Sequence, residues 1–327
     1  MKKIVIIPVF CETHLIKYQI QNIIDTINPD YIIYNEGMFP TGPESNTNVS
    51  NDFLKKYTLD GGGKRGFDYL ELKKIIKQSQ KKHKGVDIIL NEMNYNSTSA
   101  PENYTYACSN FKELGITVNE GDYIFPLEGD VFHHENSKEE IQGYMNQIEP
   151  NQGFRSKWID FVGNQFYAEK STLKPFIYKD IEGSNEGWAE QGRSRKICIR
   201  FGNMDFYKNE LLNFQKQQYP NLYPTDLITY HYAWLRPDKY KMMRFDQLNR
   251  HPKYWHHFKV GLDILNDFKY LDVDFRPVNG LSKDSTYRYV RFYDIEHPKH
   301  IMKHSEYVQL SDDIRKSILK NKLVFTQ

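Results

Sequence analysis

The chain has 327 residues, a length that suits one large domain with an extension or two small domains. Its hydrophobic fraction is 39%, and 24 Tyr and 20 Phe contribute much of it, so a sizeable and largely aromatic core can form. With 44 basic and 42 acidic residues the net charge is only +2, which excludes a global positive field for nucleic acid but not a local basic patch.

Cysteine usage and hydropathy bear on localisation. The three cysteines, Cys11, Cys108 and Cys198, lie far apart and form no CxxC pair, which fits a reducing cytoplasm and argues against a structural zinc site. The N-terminus has neither the long apolar region nor the cleavage site of a signal peptide. Because no stretch of roughly 18 apolar residues occurs, we expect a cytoplasmic protein without a transmembrane segment. Its Lys-, Asn-, Ile- and Tyr-rich composition suits an AT-rich phage or bacterial genome.

The chain begins with a pattern typical of a β-α-β unit. Residues 4–10 form a continuous apolar, largely β-branched run, which indicates a strand buried on both faces. Residues 14–27 carry apolar side chains at helical spacing, and residues 30–37 indicate a second strand that ends in a turn. We therefore expect two parallel strands joined by a helix over residues 1–37.

The next part of the chain continues this alternation after a long interruption. Residues 40–66 are polar and contain Pro, Gly, Asn and Ser, which predicts a long loop. Beyond it, helical and strand patterns alternate, as in an α/β domain with a mainly parallel sheet. The expected elements are helices over residues 67–80 and 103–114 and strands over residues 86–90 and 122–127.

After about residue 150 the segments become shorter and alternate in polarity, which indicates antiparallel strands added to the same sheet. The expected strands cover residues 158–162, 165–168, 197–199 and 227–234, with helices over residues 239–254 and 313–322. Residues 179–195 predict a second polar loop. The fold class expected is α/β, with a mainly parallel central sheet flanked by helices, a mixed or antiparallel second half and a C-terminal helical extension.

The tripeptide Glu128-Gly129-Asp130 follows the apolar run 122–127, so it stands at the C-terminal end of a buried strand, where α/β proteins bind ligands. Two carboxylates separated by one residue can face one cation, and Mg²⁺ or Mn²⁺ is bound by carboxylates together with substrate phosphates. Gly129 allows the backbone to approach a nucleotide closely. An acidic turn after a strand is the alternative, because short motifs often occur by chance.

The order of these elements resembles the nucleotide-diphospho-sugar transferases of the GT-A fold, especially glycosyltransferase family 2 and its relatives. Residues 8–12, Pro-Val-Phe-Cys-Glu, are similar to the family's Pro-Val-aromatic-Asn-Glu sequence, with Cys11 in place of Asn. Residues 121–130 resemble the family's apolar strand that ends in Asp-x-Asp, with Glu128 in place of the first Asp. The resemblance implies a GT-A (Rossmann-like) fold, a nucleotide-sugar donor and Mn²⁺ or Mg²⁺ as the metal.

The same resemblance implies roles for individual residues. It places Glu128 and Asp130 on the metal, and a segment around His231 resembles the strand end where a His completes the metal or diphosphate site. A histidine packed in an aromatic core is the alternative for His231. The residues that the resemblance or their position assigns to the donor are Pro8, Val9, Glu12, Glu36, Lys64, Arg65 and Arg236.

An enzyme that inverts the anomeric centre needs a carboxylate to deprotonate the acceptor hydroxyl. In the family this base follows the metal motif in a loop beside the acceptor. Residues 182–190 stand at that place in the order, so Glu186 and Glu190 are the candidate bases, and Trp188 between them could stack on a sugar or a nucleobase. A retaining enzyme would need no base there, and the sequence leaves the stereochemistry open.

The resemblance covers residues 1–245, and we divide them into a nucleotide-sugar-binding half (1–135) and an acceptor half (136–245), followed by an extension (246–327). The function expected is transfer of a sugar from a UDP- or GDP-sugar to an acceptor hydroxyl, most simply of a glycan. A phage-type enzyme that glycosylates hydroxymethylated DNA bases is one alternative, because the C-terminal third interleaves basic and aromatic residues. A nucleotidyltransferase and a non-catalytic nucleotide-sugar-binding module are the others.

Overall fold

A computed structural model describes residues 1–37, 51–61, 65–93, 100–161, 167–169, 194–207, 222–232, 235–240, 242–243, 290–292, 295–313 and 316. The strands are β1 (Lys3–Val9), β2 (Tyr31–Glu36), β3 (Asp87–Glu92), β4 (Tyr123–Pro126), β5 (Val131–His133), β6 (Gln152–Asp160), β7 (Tyr167–Glu169), β8 (Ser194–Arg200), β9 (Leu222–His231) and β10 (Val290–Phe292). The helices are α1 (Thr13–Thr26), α2 (Asn51–Tyr57), α3 (Tyr69–Lys82), α4 (Ala100–Ser109), α5 (Ser137–Gln147) and a 3₁₀ turn at Ile301–Lys303.

Eight strands form one mixed sheet in the order β3-β2-β1-β4-β8-β6-β9-β5. In its first half β1 runs parallel to both β2 and β4, and β2 runs parallel to β3. In its second half β8 is antiparallel to β4 and β6, β6 is parallel to β9, and β5 closes the edge antiparallel to β9. The α/β class and the change from a parallel to a mixed half are therefore confirmed.

The parallel half is built as its sequence pattern predicts. Alternate residues of β1 face opposite sides of the sheet, with Val5 and Ile7 in one apolar cluster and Ile4 and Ile6 in another. The first cluster is completed by apolar side chains of α1, α3 and α5, and the second by α4. A strand covered on both faces needs the continuous apolar run that residues 4–10 provide.

Four elements differ from the sequence-based expectation, and one of them is helix α5, which the sequence pattern did not predict. Helix α2 lies inside the long loop predicted over residues 40–66, and its two buried residues, Phe53 and Tyr57, explain why it forms. Strand β5, which is only three residues long, directly follows the acidic motif Glu128-Gly129-Asp130, where no strand was predicted. Strand β7 belongs to a separate two-stranded sheet with β10 instead of extending the main sheet, because its register partners are residues 290–292.

The C-terminal extension was expected to be helical, and its described part is not predominantly so. Residues 295–310 run as an irregular segment with one 3₁₀ turn and pack on α1. Tyr18 donates a hydrogen bond to the Lys303 carbonyl at 3.0 Å, and His300 lies 2.8 Å from Asp25. Most of the helices predicted over residues 239–254 and 313–322, and the loop predicted over 179–195, lie outside the described residues. No helix in the described part of the chain is long and apolar enough to cross a membrane.

Candidate metal centre

The acidic motif lies where the chain leaves the middle of the sheet for its edge. Residues 128–130 connect β4, beside β1, to β5 at the outer end of the sheet. Their backbone is fixed from both sides: Gln19 of α1 donates its amide to the carbonyls of Glu128 and Val131, and Tyr104 of α4 donates its hydroxyl to the Leu127 carbonyl at 2.7 Å. Helices from both faces of the sheet therefore hold this bend in one conformation.

The pairing of β5 with β9 brings the remaining ligand to the motif. Val131 is the register partner of His231, the last residue of β9. The backbone amide of Tyr232 donates a hydrogen bond to the Asp130 carbonyl at 2.9 Å, which extends the ladder past the strand end. Asp130 and His231 are thus neighbours across two antiparallel strands, although 101 positions separate them in the chain.

The side chains of Glu128, Asp130 and His231, the three predicted metal ligands, lie close together. His231 Nε2 lies 3.2 Å from Asp130 Oδ1 and 3.9 Å from Glu128 Oε2, and one ligand atom from each side chain lies within 4.8 Å of the others. In the described part of the chain, this is the one group of three or more His, Cys, Asp or Glu side chains that could hold a metal ion. Trp158 of β6 packs against the His231 ring with 4.4 Å between ring centroids, which restricts the orientation of the imidazole.

This donor set suits a divalent cation that favours carboxylate oxygens and tolerates an imidazole. Two carboxylates and one imidazole can bind Mn²⁺ or Mg²⁺, and ligand atoms around such ions stand about 3 Å apart in octahedral geometry. The separation of Asp130 and His231 is already close to that value, and only Glu128, whose side chain is the most exposed of the three at 28%, would need to move inward. A Glu side chain is one methylene longer than the Asp that stands first in the Asp-x-Asp motif, so Glu128 is long enough to make this movement.

Arg236 lies beside these ligands and is completely buried. Its side chain is 1% exposed, and Nη2 donates to Asp130 Oδ2 at 2.6 Å and to Glu12 Oε1 at 3.1 Å. Burial opposes the charged guanidinium, but the carboxylates of Glu12 and Asp130 outweigh it and hold the pKa of Arg236 above its ordinary value. The guanidinium was expected to reach the donor phosphates, whereas in the structure it binds the two carboxylates.

Glu12 completes the acidic cluster from the start of α1. An ideal Cβ built on Gly129 would stand 1.9 Å from Glu12 Oε2 and 3.5 Å from Val9 Cγ1. The Glu12 carboxylate therefore occupies the space that a side chain at position 129 would fill. Glycine is needed here for this close approach and not for its backbone freedom. Pro8 and Val9, predicted donor contacts, are buried at the end of β1, where Val9 belongs to the apolar core.

Glu36 and Arg65, which were also predicted to contact the donor, pair with each other at the C-terminal end of β2, the strand next to β1. Glu36 is 1% exposed; Oε2 accepts from Arg65 Nη1, and Oε1 accepts from the backbone N–H of Gly66 at 3.2 Å. Arg65 also donates to the carbonyls of Glu36 and Met93 at 2.7 and 3.0 Å. Burial raises the pKa of Glu36 to about 7, and Arg65 only partly offsets this rise. Both carboxylate oxygens are therefore already used inside the protein.

Sequence reasoning missed several residues that shape this centre. Gln19 and Tyr104 hold the backbone of the motif, and Trp158 packs on His231. In the sequence, only their positions on apolar helix faces or strands could have indicated that they are buried. His14 lies in the first turn of α1, and its two ring nitrogens are buried without a hydrogen-bond partner among the described residues. Burial, with a further contribution from Arg236, lowers the pKa of His14 well below its usual value, which favours the neutral ring. The predicted residues Lys64, Glu186 and Glu190 lie outside the described residues.

Comparison with known proteins gives distant structural likenesses. No protein-family model and no curated protein sequence matches this chain. Among solved structures, Staphylococcus aureus TarS (residues 1–349) is 8% identical with a TM-score of 0.37, over 81% of this chain and 71% of TarS. The mannosyltransferase PcManGT from Pyrobaculum calidifontis, in complex with GDP-Man and Mn²⁺, is 8% identical with a TM-score of 0.37, over 80% of this chain and 69% of PcManGT.

A nucleoside-diphosphate-sugar pyrophosphorylase from Vibrio cholerae is 10% identical with a TM-score of 0.35, over 73% of this chain and 98% of that enzyme. With every TM-score below 0.5, these likenesses establish neither the family nor the activity of this protein.

Proposed function

We propose that this protein is a divalent-metal-dependent glycosyltransferase that uses a UDP- or GDP-sugar as donor and a hydroxyl group, most simply of a glycan, as acceptor. The observation that carries the proposal is the convergence of Glu128, Asp130 and His231 beside the carboxyl end of β4. Open α/β sheets bind their ligands outside the carboxyl ends of their strands. A metal-competent cluster at that place suits a phosphorylated ligand.

The charges of the centre support a cation and an anionic ligand together. The carboxylates of Glu12 and Asp130 both contact the guanidinium of Arg236. The carboxylates of Asp130 and Glu128 lie 3.2 and 3.9 Å from His231 Nε2. A Mn²⁺ or Mg²⁺ ion held by Glu128, Asp130 and His231 would bind to these clustered carboxylates and stabilise charge on a departing nucleoside diphosphate. In this proposal Asp130 is the central ligand, because it contacts both the imidazole and the arginine.

The remaining roles follow the sequence-based expectation. Glu186 or Glu190 is proposed to accept the proton of the acceptor hydroxyl. The donor is proposed to lie between two groups of residues. Pro8, Val9 and Glu12 border it on one side, and Glu36, Lys64 and Arg65 border it on the other. Because Glu36 is paired with Arg65, a direct contact between its carboxylate and the donor requires that pair to separate.

Calorimetry with UDP and GDP, each with and without Mn²⁺, tests the proposal on the wild-type protein and on Asp130→Asn. We expect metal-dependent binding of one nucleotide by the wild type and weaker binding by the variant. A nucleotide-release assay with the matching nucleotide sugar should show that metal-dependent donor turnover by Asp130→Asn is lower by at least about a hundredfold, the usual scale for removing an electrostatic contact at a reacting centre. Asp226→Asn is the matched control, since Asp226 lies on β9 and its side chain is 88% exposed. Absence of nucleotide binding with metal present would contradict the proposed function.

The acceptor class has its own test. A glycan acceptor predicts no strong retention of the protein on heparin at low salt. The DNA alternative predicts retention that falls steeply with salt, because contacts with phosphates release counterions.

A further inference from the structure

The arginine of the centre has a geometry that suits a role other than phosphate binding. Arg236 is 1% exposed on its side chain, and one nitrogen, Nη2, donates to Asp130 and to Glu12. A residue that binds a donor phosphate must present its guanidinium to the ligand. Arg236 is instead almost completely buried and directs Nη2 at two carboxylates of the protein.

The two oxygens of Asp130 have different partners. Oδ2 accepts from Arg236 at 2.6 Å, and Oδ1 lies 3.2 Å from His231 Nε2. A carboxylate held in this way cannot rotate about its terminal bond without breaking the charge-assisted hydrogen bond. The oxygen that faces His231 and Glu128 is thereby fixed in the position that a cation would need.

Glu12 is tied to the same guanidinium. Its Oε1 accepts from Arg236 at 3.1 Å, while its Oε2 occupies the space over Gly129. One arginine therefore links the start of α1 to the middle and end of the acidic motif. Without it, the carboxylates of Glu12 and Asp130 would repel each other in a largely buried site.

We propose that Arg236 is a positioning residue for the metal centre: it orients Asp130 and restrains Glu12 so that the Glu128–Asp130–His231 cluster is assembled before a cation binds. This inference rests on the proposed function insofar as that function requires the cation. It assigns no contact between Arg236 and the donor. Groups that orient metal ligands from outside the coordination sphere typically change metal affinity by about 10- to 100-fold when they are removed.

The experiment titrates Mn²⁺ alone, without nucleotide, into the full chain and follows the loss of the electron paramagnetic resonance signal of free Mn²⁺. Wild type is compared with Arg236→Met and Arg236→Lys. Arg200→Met is the matched control, because Arg200 pairs in register with Tyr123 at the opposite end of β4 and its removal changes the net charge equally. We expect Arg236→Met to bind Mn²⁺ at least tenfold more weakly than wild type, Arg236→Lys to lose about threefold or more, and Arg200→Met to match the wild type.

The outcomes separate this inference from the proposed function. If wild type binds no Mn²⁺, the metal centre and the proposed function both fail. If wild type binds Mn²⁺ and Arg236→Met binds it equally well, only the positioning role is overturned, even when the variant has a lower melting temperature. Tighter binding by Arg236→Met also overturns it, since the arginine would then be a competitor of the cation. Should Arg236→Met not fold, Arg236→Lys decides, and an affinity equal to wild type refutes the role.

Discussion

The buried carboxylate of Glu36 gives the most quantitative prediction. Burial raises its pKa from 4.5 in the unfolded chain to about 7 in the folded protein, although Arg65 and the Gly66 N–H favour the charged form. Between these two pH values the folded chain holds a proton that the unfolded chain releases. The stability that this protonation contributes is complete below pH 4.5 and is lost as the pH rises through about 7.

The size of the effect follows from the two pKa values. One pKa unit corresponds to about 1.4 kcal/mol, so the full change is about 3 kcal/mol, with a slope no steeper than about 1.4 kcal/mol per pH unit. Replacement of Glu36 by Gln keeps the shape of the side chain and an oxygen that can accept from Arg65, but removes the titration. The free energy of unfolding of wild type should therefore fall relative to Glu36→Gln between pH 4.5 and 7.5.

Urea unfolding of both proteins at half-unit pH steps and constant ionic strength measures this difference. Glu92→Gln is the matched control: Glu92 is the register partner of Glu36 on β3, its side chain is 41% exposed, and its partner is Lys73 at 3.3 Å. The control removes a carboxylate at the same strand level that is not buried, so it isolates the contribution of burial at Glu36. Parallel pH profiles for wild type and Glu36→Gln would refute the reasoning.

Two further substitutions test the support of the motif. Gly129→Ala should weaken Mn²⁺ binding severalfold while the protein stays folded, because a Cβ 1.9 Å from Glu12 Oε2 displaces the end of a flexible side chain and not the backbone. Mn²⁺ titration measures the affinity, and circular dichroism is the control for folding. An unchanged Mn²⁺ affinity would contradict this prediction. Tyr104→Phe should lower the free energy of unfolding by about 1–3 kcal/mol, because the Leu127 carbonyl loses a buried donor 2.7 Å away. Urea unfolding measures this free energy, and a change below about 0.5 kcal/mol would contradict the prediction.

The parallel half of the fold was predictable because local patterns determine it. The strands predicted over residues 4–10, 30–37 and 122–127 correspond to β1, β2 and β4 within a few residues. Each is an apolar run covered by helices on both faces, and such runs leave little choice of structure. Helix α2 was missed because Phe53 and Tyr57, four positions apart, are its only buried residues and the surrounding segment is polar.

The three candidate ligands could be selected from the sequence, but the residues around them could not. A motif at a strand end and a family resemblance pointed to Glu128, Asp130 and His231, whose ligand atoms the structure brings within 4.8 Å of one another. The position of Arg236 depends on contacts with Asp130 and Glu12, 106 and 224 residues away in sequence, and a single sequence carries no information on such pairs. For the same reason Glu36 and Arg65 were assigned separately to the donor, although they contact each other.

The assembly of the centre follows from the order of the sheet. Glu128 and Asp130 come from the connection between β4 and β5, whereas His231 and Arg236 come from the end of β9 and the residues after it. In the described part of the chain, the short β5–β9 ladder joins Val131 to His231, and the β6–β9 ladder places His231 beside Asp160, so strand pairing brings the two pairs together. The centre therefore does not exist until the mixed half of the sheet has docked on the parallel half.

A cation that binds this centre must also stabilise that long-range docking, because a ligand that binds only the folded state adds RT ln(1 + [L]/Kd) to the free energy of unfolding. The same linkage explains why a buried arginine is useful at this position. Long-range strand pairing forms slowly, and two adjacent carboxylates would oppose it by repulsion. In the proposed centre the guanidinium of Arg236, which contacts both Glu12 and Asp130, offsets that repulsion as the strands pair, so the sheet can close before any cation is present.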